Sequence, residues 1–224
     1  MTNKENEPVE QKQLREALFF PVVMSLLIVI EFVLEKGLGL KWFVYGLQPR
    51  ALCGLIGIFT MPFLHADFTH FAQNIIPIFI LLLVLFYFYK EIALKSFCYV
   101  WFFMGLTLWV IGRDSYHIGA SGLIYALAFF LFFSGLFRRH IPLIAISSLI
   151  VFLYGSMFWG IFPWESHPEY SWEGHLSGAV FGLVFSFIFR KHGPQKPVEL
   201  DEEEIEDEDP YWLEEPPLSD LEKK

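Results

Sequence analysis

Three short segments of the sequence carry polar residues whose types could perform acyl transfer. Ser121 stands in the small-residue segment 119–122, and His175 stands in a second glycine-containing segment. A serine hydroxyl is a weak nucleophile that needs an adjacent base, and histidine is the usual base near neutral pH. The third segment offers His70 and Asn74 as hydrogen-bond donors for the oxyanion that develops in such a reaction.

The spacing of these residues suits such a site. His70 and Asn74 are four residues apart, which puts both side chains on one face of a helix. Ser121 is predicted to begin a helix, where its backbone N–H lacks an intrahelical partner and can act as a further donor. The sequence therefore predicts a Ser121–His175 pair, with His70, Asn74 and the Ser121 amide as oxyanion donors.

Two other kinds of site fit less well. A soluble hydrolase with a GxSxG elbow needs a strand before the serine and a glycine where Leu123 stands. A Zn²⁺ site could use His65, Asp67, His70 and His175. His65 and His70 are five residues apart, however, so they lie on different faces of a regular helix, unlike the i, i+4 pair of a zinc protease. We therefore expect no metal and no other cofactor.

The composition is that of a membrane protein. Hydrophobic residues make up 54% of the 224 residues and aromatic residues 19%, and the mean hydropathy is +0.45. Runs of about 20 apolar residues match the thickness of a bilayer's hydrocarbon core. The net charge of −9 arises in residues 193–224, which hold 13 acidic and 3 basic residues. The rest of the chain has no basic face for phosphates, so no nucleic-acid partner is expected.

Six apolar segments predict an all-α membrane protein with a bundle of six transmembrane helices. They cover about residues 17–34, 68–89, 97–111, 119–137, 142–162 and 172–189. The long connection 37–67 is rich in aromatic residues that favour the bilayer interface, so we expect it to be partly embedded. The predicted regions are a cytoplasmic N-terminal arm (1–15), a six-helix membrane domain (16–192) and an acidic, disordered cytoplasmic tail (193–224).

The positions of lysine and arginine predict the orientation of the bundle. A chain with six spans has both termini on the same side of the membrane. Ten Lys and Arg residues of the arm, the membrane domain and the start of the tail fall on that side. The four on the opposite side are Lys36, Lys41, Arg50 and Arg113. Because cytoplasmic loops carry an excess of Lys and Arg, both termini are predicted to be cytoplasmic.

The three polar segments are predicted to lie at one depth in the membrane. Ser121, Asn74 and His175 stand 17, 16 and 15 residues before the basic residue that ends their respective helices. At 1.5 Å per residue these distances are about 25, 24 and 22 Å above the cytoplasmic boundary. Polar residues at this depth are costly unless they are paired or hydrated, so their convergence indicates a functional site.

Small residues provide the close helix contact that a Ser121–His175 hydrogen bond requires. They recur at four-residue spacing on the predicted fourth and sixth helices, as Gly122 with Ala126 and as Gly178 with Gly182. Such small-xxx-small faces allow helix backbones to approach closely. Tyr125 follows Ser121 by one turn, so its ring could lie beside His175.

These segments resemble the rhomboid family of intramembrane serine proteases, and the likeness covers about residues 17–192. The matching residues are His65, His70 and Asn74, then Gly119, Ser121 and Tyr125, and finally His175, Gly178 and Gly182. One feature departs from the family pattern. The Trp-Arg pair that many bacterial relatives carry in the first long loop is missing, because Arg50 follows Pro49 and the loop's tryptophan is Trp42.

The resemblance implies a serine endopeptidase of the bacterial inner membrane that cleaves single-span transmembrane proteins within or beside the bilayer. It implies a Ser121/His175 dyad without a third carboxylate, and a lateral gate and cap formed by the fifth helix and residues 163–171. The substrates and the lipid bilayer would be its partners. The alternative is a non-catalytic rhomboid-like protein that binds client transmembrane helices, in which Ser121 would be dispensable.

Overall fold

The computed structural model describes residues 8–153, 159–163 and 170–195. Six α-helices of 13 residues or more lie in these ranges: α1 (Val9–Leu38), α2 (Phe68–Phe88), α3 (Ala93–Ile111), α4 (Ser121–Arg138), α5 (Ile141–Leu153) and α6 (Trp172–Ile188). Between α1 and α2 lie three 3-10 helices, Trp42–Tyr45, Leu52–Ile56 and Met61–Phe63, and the short α-helix Gly57–Thr60. The described ranges contain no β-strand, only an isolated bridge between Leu47 and His117.

Four of the helices, α1 to α4, are long and apolar enough to cross a membrane by length and composition. Helix α6 has 17 residues, and α5 is described over 13 residues. The predicted fifth span and the loop after it fall partly on residues 154–158 and 164–169, outside the described ranges. Most of the predicted tail and the first seven residues of the predicted arm also lie outside them. The described part of the chain is thus an all-helical bundle of the membrane type.

The helix boundaries have local causes. Asp67 is the N-cap of α2 and accepts a hydrogen bond from the His70 backbone N–H at 2.8 Å, which satisfies one of the unpaired amides of the first turn. Helix α4 begins at Ser121, as predicted for the helix start, two residues after the beginning of the apolar segment at about Gly119. The φ of Gly119 is +104°, which no α-helix accommodates. Helix α1 begins at Val9, ahead of the apolar segment, because a helix can continue beyond the hydrocarbon layer.

Helix α4 lies at the centre of the bundle. Of its most apolar 18-residue window, 61% is buried, against 22–33% for the other three long helices. It packs directly against α6 through the predicted small residues. A methyl group added to Gly178 would collide with the carbonyl oxygen of Gly122, and one added to Gly182 would collide with the carbonyl oxygen of Ala126. The predicted close approach of these two helices is therefore present in the structure.

The long connection between α1 and α2 packs against the end of α3 and the segment before α4. Leu47 and His117 exchange backbone hydrogen bonds of 2.9 and 2.8 Å, and the Gly119 amide donates to the Met61 carbonyl at 2.8 Å. Arg50 donates from its guanidinium to the Gly112 carbonyl at 2.6 Å. These bonds join the connection to the segment that leads into Ser121.

Replacing Gly178 by alanine should destabilise the bundle, because the added methyl group can be accommodated only if the α4 and α6 backbones separate. Overpacking of this kind costs about 1–3 kcal/mol, which for a chain of this size lowers the Tm by roughly 2–12 °C. The measurement is thermal unfolding in detergent. Gly37→Ala is the matched control, because a methyl group there meets nothing within 4 Å. Equal melting temperatures for the two variants would contradict the packing described here.

Candidate active site

Helices α4 and α6 bring Ser121 and His175 into direct contact. The Ser121 Oγ lies 2.8 Å from the His175 Nε2. The other ring nitrogen, Nδ1, lies 2.9 Å from the backbone carbonyl of Gly160. Since a carbonyl can only accept, Nδ1 carries the proton and Nε2 accepts the hydrogen bond from the serine hydroxyl. This is the tautomer in which an imidazole can take a proton from serine.

The ring of Tyr125 holds the His175 imidazole from one side. The two rings are stacked, with centroids 4.2 Å apart and planes inclined by 11°. Tyr125 stands one helical turn after Ser121, so the residue that stacks on the imidazole and the residue that bonds to it share one face of α4. The position of Tyr125 beside His175 agrees with the arrangement predicted from its spacing.

Gly119 makes room for His70 beside the start of α4. Its φ of +104° lies in a region that side chains disfavour. A Cβ built on Gly119 would also lie 2.5 Å from the His70 Nε2. The imidazole of His70 therefore packs directly on the turn that leads into Ser121, and both the backbone conformation and the contact require glycine.

The ring of His65 packs against the ring of His70. The two rings meet edge to face, with centroids 5.0 Å apart. His65 is 1% exposed, and its Nδ1 donates to the Phe63 carbonyl at 3.0 Å. Burial lowers the pKa of His65 to about 4, so its imidazole is neutral at physiological pH. His65 thus packs against the candidate donor and does not itself reach Ser121.

Asn74 is buried on the same helix and is engaged locally. Its side-chain nitrogen donates to the His70 carbonyl at 2.6 Å, while its Oδ1 has no hydrogen-bond partner among the described residues. An amide nitrogen carries two hydrogens, so the second can serve an acceptor in the adjoining cavity. The three predicted oxyanion donors therefore surround one space, formed by α2 and the start of α4.

Two adjoining cavities, of about 360 and 330 Å³, meet at the candidate dyad. The residues that line both are His70, Gln73, Ser121, Tyr170 and His175. The first cavity extends to the segment before α4, and the second extends along α2 to Asn74 and Pro77. Gln73 was not singled out from the sequence, although its position three residues after His70 is the signal that could have identified it.

The groups proposed for a zinc site do not assemble. Within residues 8–153, 159–163 and 170–195, no three His, Cys, Asp or Glu side chains are grouped so that they could hold a metal ion. The Asp67 carboxylate caps α2, and both ring nitrogens of His175 are engaged in hydrogen bonds, with the Ser121 hydroxyl and the Gly160 carbonyl. These contacts leave the four residues in separate roles.

Comparison with known proteins identifies the family. Residues 53–192, which include α2 to α6 and about half of the preceding connection, match the Rhomboid domain. The chain belongs to the rhomboid family. Members of this family are generally intramembrane serine proteases that act on transmembrane substrates, and some members are inactive. The apolar helices and the rhomboid domain together make this chain an integral membrane protein.

This rhomboid has close relatives in mycobacteria. It is 35% identical over 176 residues to an uncharacterized protein of Mycobacterium tuberculosis and to one of Mycobacterium bovis, a match that covers 74% of this chain and 71% of each relative. An uncharacterized protein of Mycobacterium leprae is 37% identical over 145 residues, or 60% of this chain and 56% of the relative.

Gly119→Ala should destabilise this rhomboid more than an alanine replacement at a glycine that has a positive φ but open space around it. The φ of Gly119 is +104°, and the added methyl group would also meet the His70 ring. Gly39→Ala is the matched control, since Gly39 has a φ of +65° and open space around it. A positive φ costs a non-glycine residue about 1–2 kcal/mol. We expect Gly119→Ala to cost about 1–3 kcal/mol more than its control, measured by thermal unfolding in detergent. Indistinguishable melting temperatures would contradict the contact.

Proposed function

We propose that this chain is an intramembrane serine endopeptidase that cleaves single-span transmembrane proteins with Ser121 as nucleophile and His175 as general base. The observation that carries the proposal is the 2.8 Å hydrogen bond between the Ser121 Oγ and the His175 Nε2. The Gly160 carbonyl at the opposite ring nitrogen supports it, because it leaves Nε2 free of a proton. Membership of the rhomboid family gives the same reaction class.

In the first half of the proposed reaction, the Ser121 Oγ attacks the scissile carbonyl carbon while its proton passes to the His175 Nε2. The resulting imidazolium donates from Nδ1 to the Gly160 carbonyl, which takes the place that a carboxylate occupies in a triad. The oxyanion of the tetrahedral intermediate accepts hydrogen bonds from the Ser121 amide and from the His70 and Asn74 side chains. Collapse of the intermediate passes the Nε2 proton to the leaving amine and produces the acyl-enzyme.

In the second half, a water molecule replaces the departed amine. The neutral Nε2 takes a proton from the water, the hydroxide attacks the ester carbon, and the same donors hold the second oxyanion. Return of the proton to the Ser121 Oγ frees the carboxylic acid product. The cavity that reaches the segment before α4 is a route by which water enters, since its lining includes Asp67, Arg113 and His117.

The proposed topology has six spans with both termini in the cytoplasm of a bacterial cell, in its inner membrane. In this arrangement the membrane domain is residues 16–192, flanked by an N-terminal arm (1–15) and an acidic tail (193–224). The second cavity supports lateral entry of the substrate, because it runs beside α2 and is lined by Pro77, Ile124 and Gly160. A transmembrane substrate would reach Ser121 from the side of the fifth helix.

Ser121→Ala and His175→Ala should each abolish cleavage of a model transmembrane substrate, because one removes the nucleophile and the other the base that activates it. A fluorophosphonate should label the wild-type protein and not the Ser121→Ala variant. Ser186→Ala is the matched control: Ser186 is a buried serine of α6 whose hydroxyl bonds to the Leu183 carbonyl. Gel fluorescence reports the labelling, and mass spectrometry maps the modified residue.

Labelling that survives in Ser121→Ala would refute the proposed nucleophile. The protein would instead be a non-catalytic binder if the wild type neither cleaved transmembrane clients nor reacted with the fluorophosphonate, and if the Ser121→Ala variant bound these clients as well as the wild type does. The two functions are therefore separated by the same set of variants.

Asn74→Ala should slow cleavage without abolishing it. Loss of one oxyanion donor costs about 10²–10³ in rate, and two of the proposed donors remain. The expected change is in kcat, because the oxyanion exists only after attack on the carbonyl. The measurement is steady-state cleavage of a transmembrane substrate in detergent or vesicles. A KM effect with unchanged kcat would instead assign Asn74 to substrate binding.

A further inference from the structure

A second hydrogen bond joins the segments that immediately precede the two helices of the candidate dyad. The His117 Nδ1 lies 2.7 Å from the Ser171 Oγ, and we call these two residues the outer pair. His117 is 5% exposed and precedes α4, while Ser171 immediately precedes α6. The outer pair therefore connects the approach to α4 with the first turn of α6.

The direction of this bond follows from the other contacts of both residues. The His117 Nε2 lies 3.1 Å from the Arg113 carbonyl, so Nε2 carries the proton and Nδ1 accepts from the Ser171 hydroxyl. Burial lowers the pKa of His117, which keeps this imidazole neutral. The Ser171 Oγ in turn accepts the Gly174 N–H at 3.2 Å, as the N-cap of α6. One serine hydroxyl thus caps α6 as an acceptor and holds His117 as a donor.

The outer pair stands in the same register as the dyad. His117 precedes Ser121 by four residues, and Ser171 precedes His175 by four residues. The His175 backbone N–H also donates to the Ser171 carbonyl at 3.1 Å. Any shift of Ser171 away from His117 would therefore move the first turn of α6 and, with it, the backbone that carries His175.

An ion pair reinforces the same connection. The Glu173 carboxylate, which is buried, lies 3.7 Å from the Arg113 Nε and accepts the Arg113 backbone N–H at 3.3 Å. The Arg113 guanidinium also donates to the Tyr170 carbonyl. Residues on both sides of Ser171 are thereby joined to the segment before α4, and the outer pair adds a bond four residues before each catalytic candidate.

We propose that His117 and Ser171 are positioning residues that set the start of α6 relative to α4, so that the His175 Nε2 meets the Ser121 Oγ. The inference rests on the proposed protease function. Neither residue takes part in proton transfer. Their loss should therefore lower kcat and the rate of fluorophosphonate labelling more than it changes KM, since misplacement of a reacting group by about 1 Å costs up to 10²-fold in rate.

Three replacements of Ser171 separate positioning from helix capping. Ser171→Thr keeps both the acceptor and the hydroxyl donor, and should label at close to the wild-type rate. Ser171→Gly keeps a residue that is tolerated at the N-cap of α6 but has no hydroxyl for the His117 Nδ1. It should label about 10- to 100-fold more slowly, at a temperature well below its measured Tm. Ser171→Ala loses both functions and should be slower and less stable.

A double-mutant cycle of His117→Ala and Ser171→Ala tests whether the two residues act as one unit. We expect the double variant to label no more slowly than the slower single variant. Additive losses, or a folded Ser171→Gly that labels within twofold of the wild type, would overturn the positioning role while leaving the protease assignment intact. A wild-type protein that does not label at all would instead overturn the proposed function and the positioning role together.

Discussion

The structure depends on direct backbone contact between α4 and α6. Gly178 and Gly182 pack on the carbonyl oxygens of Gly122 and Ala126, where no side chain can be inserted. Because apolar side chains gain little by leaving lipid for a helix interface, such close packing is a main source of helix association in a bilayer. The contact also brings the two helices near enough for a 2.8 Å hydrogen bond between residues 54 positions apart. Packing and the proposed chemistry thus have the same cause.

The remaining elements determine the orientation of the groups at this contact. Tyr125 stacks on the His175 ring, and the Gly160 carbonyl determines which of its nitrogens carries the proton. The connection between α1 and α2 lacks the Trp-Arg pair of many bacterial relatives, and its own bonds attach it to the core. Arg50 donates hydrogen bonds to backbone carbonyls at the end of α3. Its N–H bonds to the Trp109 carbonyl at 3.0 Å and its guanidinium to the Gly112 carbonyl at 2.6 Å.

The features that were predictable from the sequence are those set by helical periodicity. Four-residue spacing was enough to place Tyr125 beside His175 and the glycines in the helix contact. The partners that the sequence did not reveal are backbone carbonyls and distant loop residues. The Gly160 carbonyl carries no side-chain signal, and the bond between His117 and Ser171 joins two common residues across a fold whose loop geometry was unknown. Asn74 was expected as a donor, but its bond to the His70 carbonyl depends on a rotamer that spacing does not determine.

The central claim is that the Ser121 Oγ and the His175 Nε2 form a working nucleophile and base beside three oxyanion donors. The most direct measurement is an experimental structure of the chain after reaction with a fluorophosphonate. The account predicts a phosphorus–oxygen bond to the Ser121 Oγ. It also predicts a phosphoryl oxygen within about 3 Å of the Ser121 amide and of the His70 and Asn74 side chains. A phosphoryl oxygen directed away from all three donors, or an adduct on another residue, would contradict it.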